Sequence, residues 1–554
     1  MTNREVARLL RHYADLLEIQ GGNPFRIQAY RRAADVVDHL PVPVAELAEE
    51  QRLTAVPGIG SGIAAAIVEI LETGRLSALE ALQSELPNTL VTLLDLPGIG
   101  PKTVGRLYRE LGIATLAALE EAALAGRIRQ LKGLGPRLEQ RILEGIRFLH
   151  GVSRRFLLGD LLPLAECLAG QLAEHLAVPV AVAGSIRRMR ETVGNINLVV
   201  AVGDQAALVE ALGRLPQIAE VQEPTPAFVP AASTIGAEVQ VVAAAPERFG
   251  TELLRWTGSW QHVEALSELA GGTLPPAATE EACYQALGLP WIPPELREAR
   301  GELEAARDGR LPRLVSLQDI QGDLHTHTTW SDGRGSILEM AMAARDRGYR
   351  YLAVSDHSAG LGVARGLDAD RLQEQWREIE VVQAQVPEIW ILRACEIEVR
   401  RDGSLDLPDE ILAELDLVVA SLHTGLRQSK EEQTERIVRV LRHPHVDIIA
   451  HPTGRLIDRR PGTDYDWERV FATAREAGKA LEINCGPERL DLNDELARQA
   501  LEAGVLLAIN SDAHAPDDFA WMRYGVGIAR RAWAGPGQVL NALPLEALLS
   551  WLER

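Results

Sequence analysis

The chain has 554 residues, 24% of them charged, and a net charge of −21, a length that accommodates roughly three to five domains. Its four cysteines are scattered, which argues against a disulfide framework and against a thiolate zinc site. Because no stretch reaches the ~18 apolar residues of a membrane span, we expect a cytoplasmic protein without a membrane partner.

Charge is distributed unevenly along the chain. Residues 1–150 contain 17 Lys and Arg against 18 Asp and Glu, whereas the remaining residues contain 40 against 60. Excess acid repels a polyanion such as DNA. The first 150 residues are therefore the expected side for nucleic-acid binding.

A glycine motif recurs near the start of the chain, as VPGIGSG at 56–62, LPGIGPK at 96–102 and LKGLGPR at 131–137. Each copy precedes a helical pattern, and such turns expose backbone N–H groups at a helix start, where phosphate binds. A plain helical hairpin explains one copy equally well, but three copies favour helix-hairpin-helix motifs that grip the DNA backbone without reading sequence. The predicted DNA contacts are Gly58, Gly60, Gly98, Gly100, Lys102, Gly133 and Gly135.

Between about 151 and 300, short apolar strands alternate with helical segments. In the strand NINLVV, Asn195 and Asn197 point to the same face. A capped edge strand would explain this pair. The preceding GSIRRMRET segment suits a phosphate, with Gly184, Ser185 and Arg188 as the candidate contacts.

From residue 321 onward, apolar strands alternate with amphipathic helices, which predicts a parallel α/β barrel or sheet. Six histidines and three carboxylates follow successive strands, on the face where such barrels build active sites. Any one of these histidines alone could be a core or surface residue, but their shared position favours a metal site. The predicted ligands are His325, His327, Asp332, His357, Glu396, His423, His451, Asp512 and His514.

Imidazole and carboxylate ligands together suit Zn²⁺, Mn²⁺ or Fe²⁺. Nine ligands are too many for one ion, so we expect two or three divalent metals that activate water for phosphoester hydrolysis. His443 and His445 precede their strand and are not expected to be ligands. Arg455 is a candidate phosphate contact, with a solvated loop arginine as the alternative.

The segments HTHTTWSDG, SDH, CEIEV, ASLHTG, AHPTGRL, LEINCGPERLDL and SDAH resemble the motifs of PHP (polymerase and histidinol phosphatase) domains. The resemblance implies a distorted seven-stranded β/α barrel at 321–554 with a trinuclear metal centre. The implied ligand sets are His325, His327, Glu396 and Asp512; Glu396, His423 and His451; and Asp332, His357 and His514.

The segments GGNPFRIQAYRRAADVV, GSIRRMRETVG, PERFGTELLRWTGSW and ALGLPWIPPELRE resemble bacterial family X DNA polymerases, whose core is fused to a PHP domain. This second resemblance implies that the PHP domain is a manganese-dependent 3′ to 5′ exonuclease, with abasic-site and 3′-end processing. The implied fold is multidomain, α+β and α/β. The implied domains are a helical 8-kDa-like helix-hairpin-helix domain at 1–85, a fingers-like one at 86–150, a nucleotidyltransferase-like palm at 151–232, a thumb-like domain at 233–300, a linker at 301–320 and the PHP barrel at 321–554.

The palm departs from the family pattern, in which a Gly-Asp-Ile-Asp strand and a third aspartate hold the metals. Here the three positions are Asn195, Asn197 and Gln240. Amides cannot offset the repulsion of two Mg²⁺ ions, so we expect no Mg²⁺ at the palm, weak or absent dNTP binding and loss of polymerase activity. Glu238 lies two residues from Gln240, which is ~7 Å along a strand and too far to substitute. Ala66 replaces the family lysine, which predicts no lyase activity.

Three functional hypotheses remain open. The leading one is a DNA-repair protein, a monomer of the bacterial cytoplasm and nucleoid, that hydrolyses gapped, recessed or 3′-ended DNA through the barrel. The second is an active family X DNA polymerase. The third is a scaffold that binds gapped DNA without catalysis.

Overall fold

The chain divides into two compact units, residues 1–154 and 155–554. Within the part of the chain that the structure describes, no helix has the length and apolar character needed to cross a membrane. Gly98 and Gly133, which are predicted DNA contacts, lie outside the described residues. A computed structural model describes residues 3–38, 40, 43–49, 51–87, 90, 93, 99–131, 134–135, 138–139, 142, 155–361 and 364–553.

The first unit is a set of helices around one apolar core. In the first helix Val6, Leu10 and Tyr13 recur at intervals of four and three residues, and all three are buried. This spacing places them on one helical face. Tyr13 packs edge-on against Tyr30 of the second helix, with ring centroids 4.7 Å apart. The helices are α1 (Asn3–Gln20), α2 (Pro24–Asp38), α3 (Val44–Glu49), α4 (Ser61–Thr73), α5 (Ser77–Glu85), α6 (Pro101–Leu111) and α7 (Leu116–Leu124).

Glycine turns precede two of these helices. Gly60 and Gly100 are the residues before α4 and α6, and no side chain caps either helix. Gly58 has φ +99°, a conformation that favours glycine. A Cβ atom added at Gly60, Gly100 or Gly135 would meet nothing within 4 Å, and Lys102 is exposed on α6. A ligand phosphate therefore has room to approach the backbone at these helix starts.

The second unit begins with an α/β region. A 19-residue helix packs against the sheet through an apolar face that includes Leu161, Leu168 and Leu172, all fully buried. The helices are α8 (Leu158–Leu176), α9 (Gly184–Arg187), α10 (Gln205–Leu212), α11 (Phe249–Thr257), α12 (Trp260–Leu269), α13 (Glu280–Ala286) and α14 (Glu302–Arg307). The strands are β1 (Phe156–Leu157), β2 (Val180–Ala183), β3 (Thr192–Val193), β4 (Asn195–Val200), β5 (Ile218–Val221), β6 (Val229–Ser233) and β7 (Glu238–Ala243).

Five of these strands form one mixed sheet in the order β2-β4-β7-β6-β5. The central pair β4 and β7 is parallel, with Asn195 opposite Glu238 and Asn197 opposite Gln240. The other neighbouring pairs are antiparallel. Strand β7 lies beyond residue 232, where the palm was expected to end, so the sheet continues past that boundary.

Residues 301–320, which were expected to form a linker, pack into the same unit. Leu303 and Ala306 of α14 are buried. The buried carboxylate of Glu302 is hydrogen-bonded to His262 Nδ1 at 2.5 Å, as a buried charge requires. This segment is therefore a fixed part of the unit.

The rest of the second unit is a nearly closed barrel of seven parallel strands, which confirms the predicted distorted barrel. The strands follow each other in chain order, β8 to β14. The first and last strands approach through a parallel bridge between Thr326 and Ala513, and His327 N–H donates to Ala513 O at 2.8 Å. The strands are β8 (Gly322–Asp323), β9 (Tyr351–Val354), β10 (Trp390–Glu398), β11 (Leu417–Ser421), β12 (Ile448–Ile449), β13 (Ala480–Asn484) and β14 (Leu507–Asn510).

Helices connect the barrel strands, as the amphipathic segments predicted. In α15, for example, Ile337, Met340, Ala341 and Ala344 are buried at helical spacing. The helices are α15 (Ile337–Asp346), α16 (Ala369–Gln385), α17 (Asp409–Leu412), α18 (Lys430–Leu441), α19 (Trp467–Ala477), α20 (Asp494–Glu502), α21 (Met522–Arg531) and α22 (Leu545–Leu552).

Candidate metal centre and palm site

The nine predicted metal ligands meet at the carboxyl-terminal mouth of the barrel. Parallel strands bring their carboxyl ends to one face, so residues distant in sequence become neighbours there. Each of the nine has a ligand atom within 4.0 Å of one belonging to another member. They are His325 and His327 after β8, Asp332 in the next loop, His357 after β9, Glu396 in β10, His423 after β11, His451 after β12, and Asp512 and His514 after β14.

Glu396 lies at the centre of this cluster and is 1% exposed. Its Oε2 atom lies 3.4 Å from His325 Nε2, 3.5 Å from His327 Nε2 and 2.7 Å from His357 Nδ1. Its Oε1 atom lies 3.6 Å from His423 Nε2 and 3.1 Å from His451 Nε2. One carboxylate therefore lies within 3.6 Å of five imidazole rings, so both of its oxygens could contribute to a metal site.

Two further carboxylates extend the cluster. Asp512 Oδ1 lies 3.0 Å from His327 Nε2 and 3.7 Å from His325 Nε2. Asp332 Oδ2 lies 3.5 Å from His357 Nε2, and its Oδ1 lies 3.5 Å from His514 Nε2. All the carboxylates thus face imidazole nitrogens.

Three groups of side chains have ligand atoms close enough to share an ion. Within each group all the atoms lie within 4.8 Å of one another. The groups overlap with the expected sets but differ from them in three ways. His327 joins the Asp332 group, His357 joins the Glu396 group, and Glu396 is absent from the group of His325, His327 and Asp512. His451 belongs to none of the three, although it contacts Glu396. The groups are His327, Asp332, His357 and His514; His325, His327 and Asp512; and His357, Glu396 and His423.

Two carboxylates that the sequence analysis did not single out orient these imidazoles. Glu482 in β13 lies 2.8 Å from His325 Nδ1 and accepts a 2.6 Å hydrogen bond from His451 N–H. Glu398 in β10 lies 2.9 Å from His423 Nδ1. Such contacts fix the tautomer and leave Nε2 available to a metal. A charged residue inside an apolar strand, as in CEIEV and LEIN, is the sequence signal that could have found them.

The burial of the ligands agrees with metal binding. His325 Nε2 and both ring nitrogens of His327 are buried and make no well-directed hydrogen bond within the described part of the chain. His451 and Asp512 have φ +27° and +54°, left-handed conformations that are costly for these residues and common at functional sites. A buried imidazole nitrogen without a hydrogen-bond partner destabilises the folded protein unless a metal ion binds to it.

The electrostatic field of the cluster also favours cations. Burial opposes a proton on His357, but Glu396 and Asp332 outweigh it and raise its pKa to about 10. Burial likewise opposes a proton on His514, but Asp332 and Asp512 raise its pKa to about 9. Burial would raise the pKa of Asp332, but hydrogen bonds with His357 and His514 hold it far below its usual range. The residues present therefore fit divalent metals.

The predicted phosphate contact, Arg455, is engaged within the protein. Its Nη1 and Nη2 atoms donate to Glu191 at 3.2 and 2.5 Å, and its Nε donates to Arg489 O at 2.8 Å. Nη2 also donates to Leu490 O. Four of its five N–H groups are thus used, which leaves little capacity for a substrate phosphate.

In the palm sheet the three amides lie side by side on β4 and β7. Asn197 Nδ2 donates to Asn195 Oδ1 at 3.1 Å, and Gln240 Nε2 donates to Glu238 Oε1 at 2.6 Å. Asn197 is 8% exposed. A Cβ atom at Gly184, which has φ +68°, would lie 2.3 Å from Asn197 Nδ2, so this position requires glycine.

The candidate phosphate contact Arg188 is bonded to the protein as well. Its Nε donates to Glu298 Oε1 at 2.9 Å and its Nη1 to Thr257 O at 2.7 Å. Ser185, the third candidate, is half-buried at the start of α9 beside Gly184. The turn is present, while its arginine is paired with a carboxylate.

These features define a parallel barrel with a candidate multi-metal centre at its mouth, in one unit with a mixed sheet. Four family models match it: a helix-hairpin-helix domain at residues 1–76, a SAM-like helix-hairpin-helix tandem at 90–147, a DNA polymerase beta thumb at 265–298 and a PHP domain at 323–485.

The chain belongs to the bacterial PolX family, the family X DNA polymerases that carry a PHP domain. It is 37% identical over 577 residues to the DNA polymerase/3′-5′ exonuclease PolX of Bacillus subtilis strain 168, with all of both chains covered. A probable phosphatase of Thermoanaerobacter pseudethanolicus is 30% identical over 230 residues, which cover 40% of this chain and 89% of that protein. Another, from Acetivibrio thermocellus, is 32% identical over 203 residues, which cover 35% of this chain and 78% of that protein.

Proposed function

We propose that the barrel of this PolX-family chain is a metal-dependent 3′ to 5′ exonuclease that acts on gapped, recessed or 3′-ended DNA. The observation that carries this proposal is the convergence of nine imidazole and carboxylate side chains in a chain that also carries DNA-binding modules. The ions that this donor set suits are Mn²⁺ or Zn²⁺, with Fe²⁺ as a third candidate. When bound, they would polarise the phosphoryl group and activate a water molecule.

The side chains of the centre have distinct tasks in this proposal. Glu396 would offer both of its carboxylate oxygens to the metals, while Asp332 and Asp512 would supply further negative charge. Glu482 and Glu398 hold His325 and His423 through Nδ1, so that Nε2 faces the ions. The nine predicted ligands are the residues that we propose to hold the metals.

We infer that the palm no longer supports nucleotidyl transfer. Asn195, Asn197 and Gln240 supply neutral oxygens in place of carboxylates, and two adjacent Mg²⁺ ions need negative charge to offset their repulsion. Glu238, the carboxylate that could have compensated, is hydrogen-bonded to Gln240. In this view Gly184, Ser185 and Arg188 are remnants of a nucleotide site, and dNTP binding is weak or absent.

The proposed DNA binding depends on the helical first unit. Gly58, Gly60, Gly98, Gly100, Lys102, Gly133 and Gly135 are the proposed contacts to the DNA backbone. We propose sequence-independent binding by a monomer associated with the nucleoid, in DNA repair, with abasic-site and 3′-phosphate processing as further activities of the same centre.

Digestion of a 5′-labelled recessed duplex in Mn²⁺ tests the exonuclease. We expect stepwise shortening from the recessed 3′ end, abolished by His327→Ala and by chelation. His443→Ala is the matched control, since His443 lies outside the cluster and pairs with Asp409 at 3.3 Å. Absence of shortening, or shortening that His327→Ala leaves unchanged, would reject the assignment.

A second candidate function is an active polymerase, favoured by the name of the Bacillus subtilis relative. Primer extension on a gapped substrate, with Mg²⁺ or Mn²⁺ and all four dNTPs, separates the two. We expect no extension. Extension by the wild-type protein that Glu238→Gln abolishes would establish polymerase activity. It would also identify Glu238 as the carboxylate that replaces the lost aspartates of the palm. Tight binding to gapped DNA with neither digestion nor extension would instead identify a scaffold.

A further inference from the structure

The carboxylates of the candidate metal centre differ in their exposure to solvent. The side chains of Glu396 and Asp512 are 1% and 13% exposed, whereas that of Asp332 is 37% exposed. His514, whose Nε2 atom lies 3.5 Å from Asp332 Oδ1, is 31% exposed. The centre is therefore most accessible to a substrate phosphate at the edge formed by Asp332 and His514.

One arginine places its guanidinium group beside this edge. Arg365 Nη2 donates to the main-chain oxygen of Ser331 at 2.7 Å, and Ser331 is the residue directly before Asp332. Ser331 Oγ also donates to Asp332 Oδ1 at 3.2 Å. Covalent geometry keeps the Asp332 carboxylate within about 6 Å of Ser331 O, and hence within about 9 Å of Arg365 Nη2.

The backbone that presents Arg365 is fixed by its neighbours. Arg371 of α16 donates from Nη1 to Arg365 O at 2.6 Å and from Nη2 to Trp330 O at 2.6 Å. It thereby joins the segment after β9 to the loop after β8. Leu367 N–H donates to His357 O at 2.7 Å. Arg365 itself has φ +55°, a conformation that is costly for arginine and concentrated at functional sites.

Most hydrogen-bond donors of Arg365 are unused. A guanidinium group has five N–H donors. Within the described part of the chain Arg365 uses one of them, and no carboxylate oxygen lies within 4.0 Å of it. The residue is exposed. Arg365 therefore retains its charge and its donors for an anionic ligand.

Two other arginines near the barrel mouth differ from Arg365 in this respect. Arg455 is hydrogen-bonded to Glu191 and to two main-chain oxygens. Arg334, whose N–H donates to His514 O at 2.6 Å, has its Nη2 atom 3.7 Å from Asp518. Both have a carboxylate neighbour that competes with a substrate phosphate.

We propose that Arg365 binds a non-bridging oxygen of the phosphodiester that is cleaved at the metal centre. This inference rests on the proposed exonuclease and adds a residue that contacts the substrate. In the hydrolysis a water oxygen bonds to phosphorus, the P–O3′ bond breaks, and the 3′-oxygen leaves with a proton from that water. Attack by hydroxide adds negative charge to an anionic phosphodiester, so the guanidinium group binds the transition state more tightly than the substrate.

Calorimetric titration of inorganic phosphate into the Mn²⁺-loaded full chain tests this contact without catalysis. Arg365→Ala removes all the donors, whereas Arg365→Gln keeps one donor for Ser331 O and removes the charge. We expect both variants to bind phosphate about 10-fold more weakly than the wild type. Arg350→Ala is the matched control, because Arg350 is also exposed but precedes β9, at the opposite end of the barrel.

The affinity for Mn²⁺ separates substrate binding from a structural role. Electron paramagnetic resonance of the free ion follows the titration of each metal-free variant. We expect the same Mn²⁺ affinity for the wild type, Arg365→Gln and Arg350→Ala, because Arg365 contacts no carboxylate of the cluster. A loss of Mn²⁺ affinity as large as the loss of phosphate affinity would mean that Arg365 supports Asp332 instead of binding the substrate.

Hydrolysis of the p-nitrophenyl ester of thymidine 5′-phosphate in Mn²⁺ measures the effect on the reaction. We expect kcat/KM to fall about 100-fold in Arg365→Ala and Arg365→Gln and to stay unchanged in Arg350→Ala. Arg365→Lys should fall between these values, because an ammonium group keeps the charge but lacks the planar fork of donors. Added methylguanidinium should restore part of the activity of Arg365→Ala.

The outcomes distinguish this inference from the proposed function. Wild-type protein that binds Mn²⁺ and phosphate but hydrolyses neither DNA nor the ester refutes the exonuclease, while the phosphate titration still decides the role of Arg365. Equal phosphate affinity of Arg365→Gln and Arg350→Ala overturns the inference, as does wild-type protein that binds no phosphate.

Discussion

Glu482 shows how a residue that need not touch a metal can control the site. It is fully buried, and its two oxygens face His325 Nδ1 and His451 N–H. Asn510 Nδ2 adds a third hydrogen bond to it at 2.9 Å. The ring of His325 is thereby oriented with Nε2 toward Glu396 and Asp512.

We predict that Glu482→Gln lowers the affinity for Mn²⁺ by about 10- to 100-fold. The amide removes the negative charge that holds the His325 tautomer while it preserves the shape of the side chain. Titration of metal-free protein with Mn²⁺, followed by electron paramagnetic resonance of the free ion, measures the change. Glu476→Gln on the outer face of α19 should leave the affinity unchanged, and an equal effect of both substitutions would contradict the role of Glu482.

Protonation of the cluster predicts a pH dependence. The folded-state pKa values of His357 and His514, about 10 and about 9, lie above the ordinary value of 6.5. Their contribution to the stability of the metal-free protein is therefore complete below pH about 6.5 and is lost as pH rises through 9 to 10. Metal ions bind the deprotonated imidazoles. Bound metal is therefore expected to stabilise the folded protein at high pH, where the protonated imidazoles no longer do.

We expect the Tm of the EDTA-treated protein to fall between about pH 7 and pH 9, and the Tm difference caused by Mn²⁺ to widen over the same interval. Tryptophan fluorescence reports this transition, because all ten tryptophans lie after residue 155. His357→Gln should flatten both trends relative to His443→Ala. A Tm difference that narrows with pH would contradict the protonation scheme.

The convergence of the nine proposed ligands could be predicted from the sequence, because all of them lie at or after the carboxyl end of a barrel strand. The ion pair between Arg455 and Glu191 could not be predicted, because the two residues lie 264 positions apart in sequence. No local pattern indicates that they pair. The pairing of Arg188 with Glu298 is hidden for the same reason. Such long-range ion pairs depend on how the palm region packs against the barrel. No short segment of the sequence indicates that packing.

Among the elements, α21 connects three parts of the second unit through one buried side chain. Arg531 is 2% exposed. It donates to Glu298 Oε1 at 2.8 Å, to Asp494 Oδ2 of α20 at 2.8 Å and to Arg188 O at 2.8 Å. The thumb end, the barrel and the palm turn therefore share one guanidinium group.

We predict that Arg531→Met destabilises the second unit by about 3 kcal/mol, because it leaves the carboxylates of Glu298 and Asp494, which are only 10% and 12% exposed, with less compensation. Urea denaturation followed by tryptophan fluorescence gives the free energy of unfolding. Arg523→Ala, which removes an exposed pair with Glu166, should cost less than about 1 kcal/mol. If the two substitutions cost the same, α21 does not have this connecting role.

Strand and helix types were predictable where the apolar pattern is long, and the barrel order followed from alternating strands and helices. The residues at which strands and helices begin and end were less predictable than their type. Strand β12 has only two residues between His443 and His451, and β7 belongs to the palm sheet although it falls in the expected thumb range. Hydrogen bonding to neighbouring strands decides such limits, and that information lies elsewhere in the chain.

At the scale of the whole molecule, the two helix-hairpin-helix domains lie in the first unit, whereas the cluster of candidate metal ligands lies in the second. One apolar cluster lies entirely within residues 6–142, and the other clusters begin after residue 155. The helical part is nearly neutral while the remainder is strongly acidic. Each unit thus has its own core and its own charge, which favours independent folding.

This separation predicts how the two parts behave when expressed alone. Fragment 155–554 should hydrolyse the p-nitrophenyl ester of thymidine 5′-phosphate with the kcat/KM of the full chain, because the metal ligands all lie within it. Its KM for a long recessed duplex should rise at least about 10-fold, since the helix starts that we propose to bind backbone phosphates are absent. Fragment 1–154 should bind unrelated duplexes equally, with an affinity that falls steeply with salt. Equal DNA affinity of fragment 155–554 and the full chain would mean that the acidic unit itself holds the duplex.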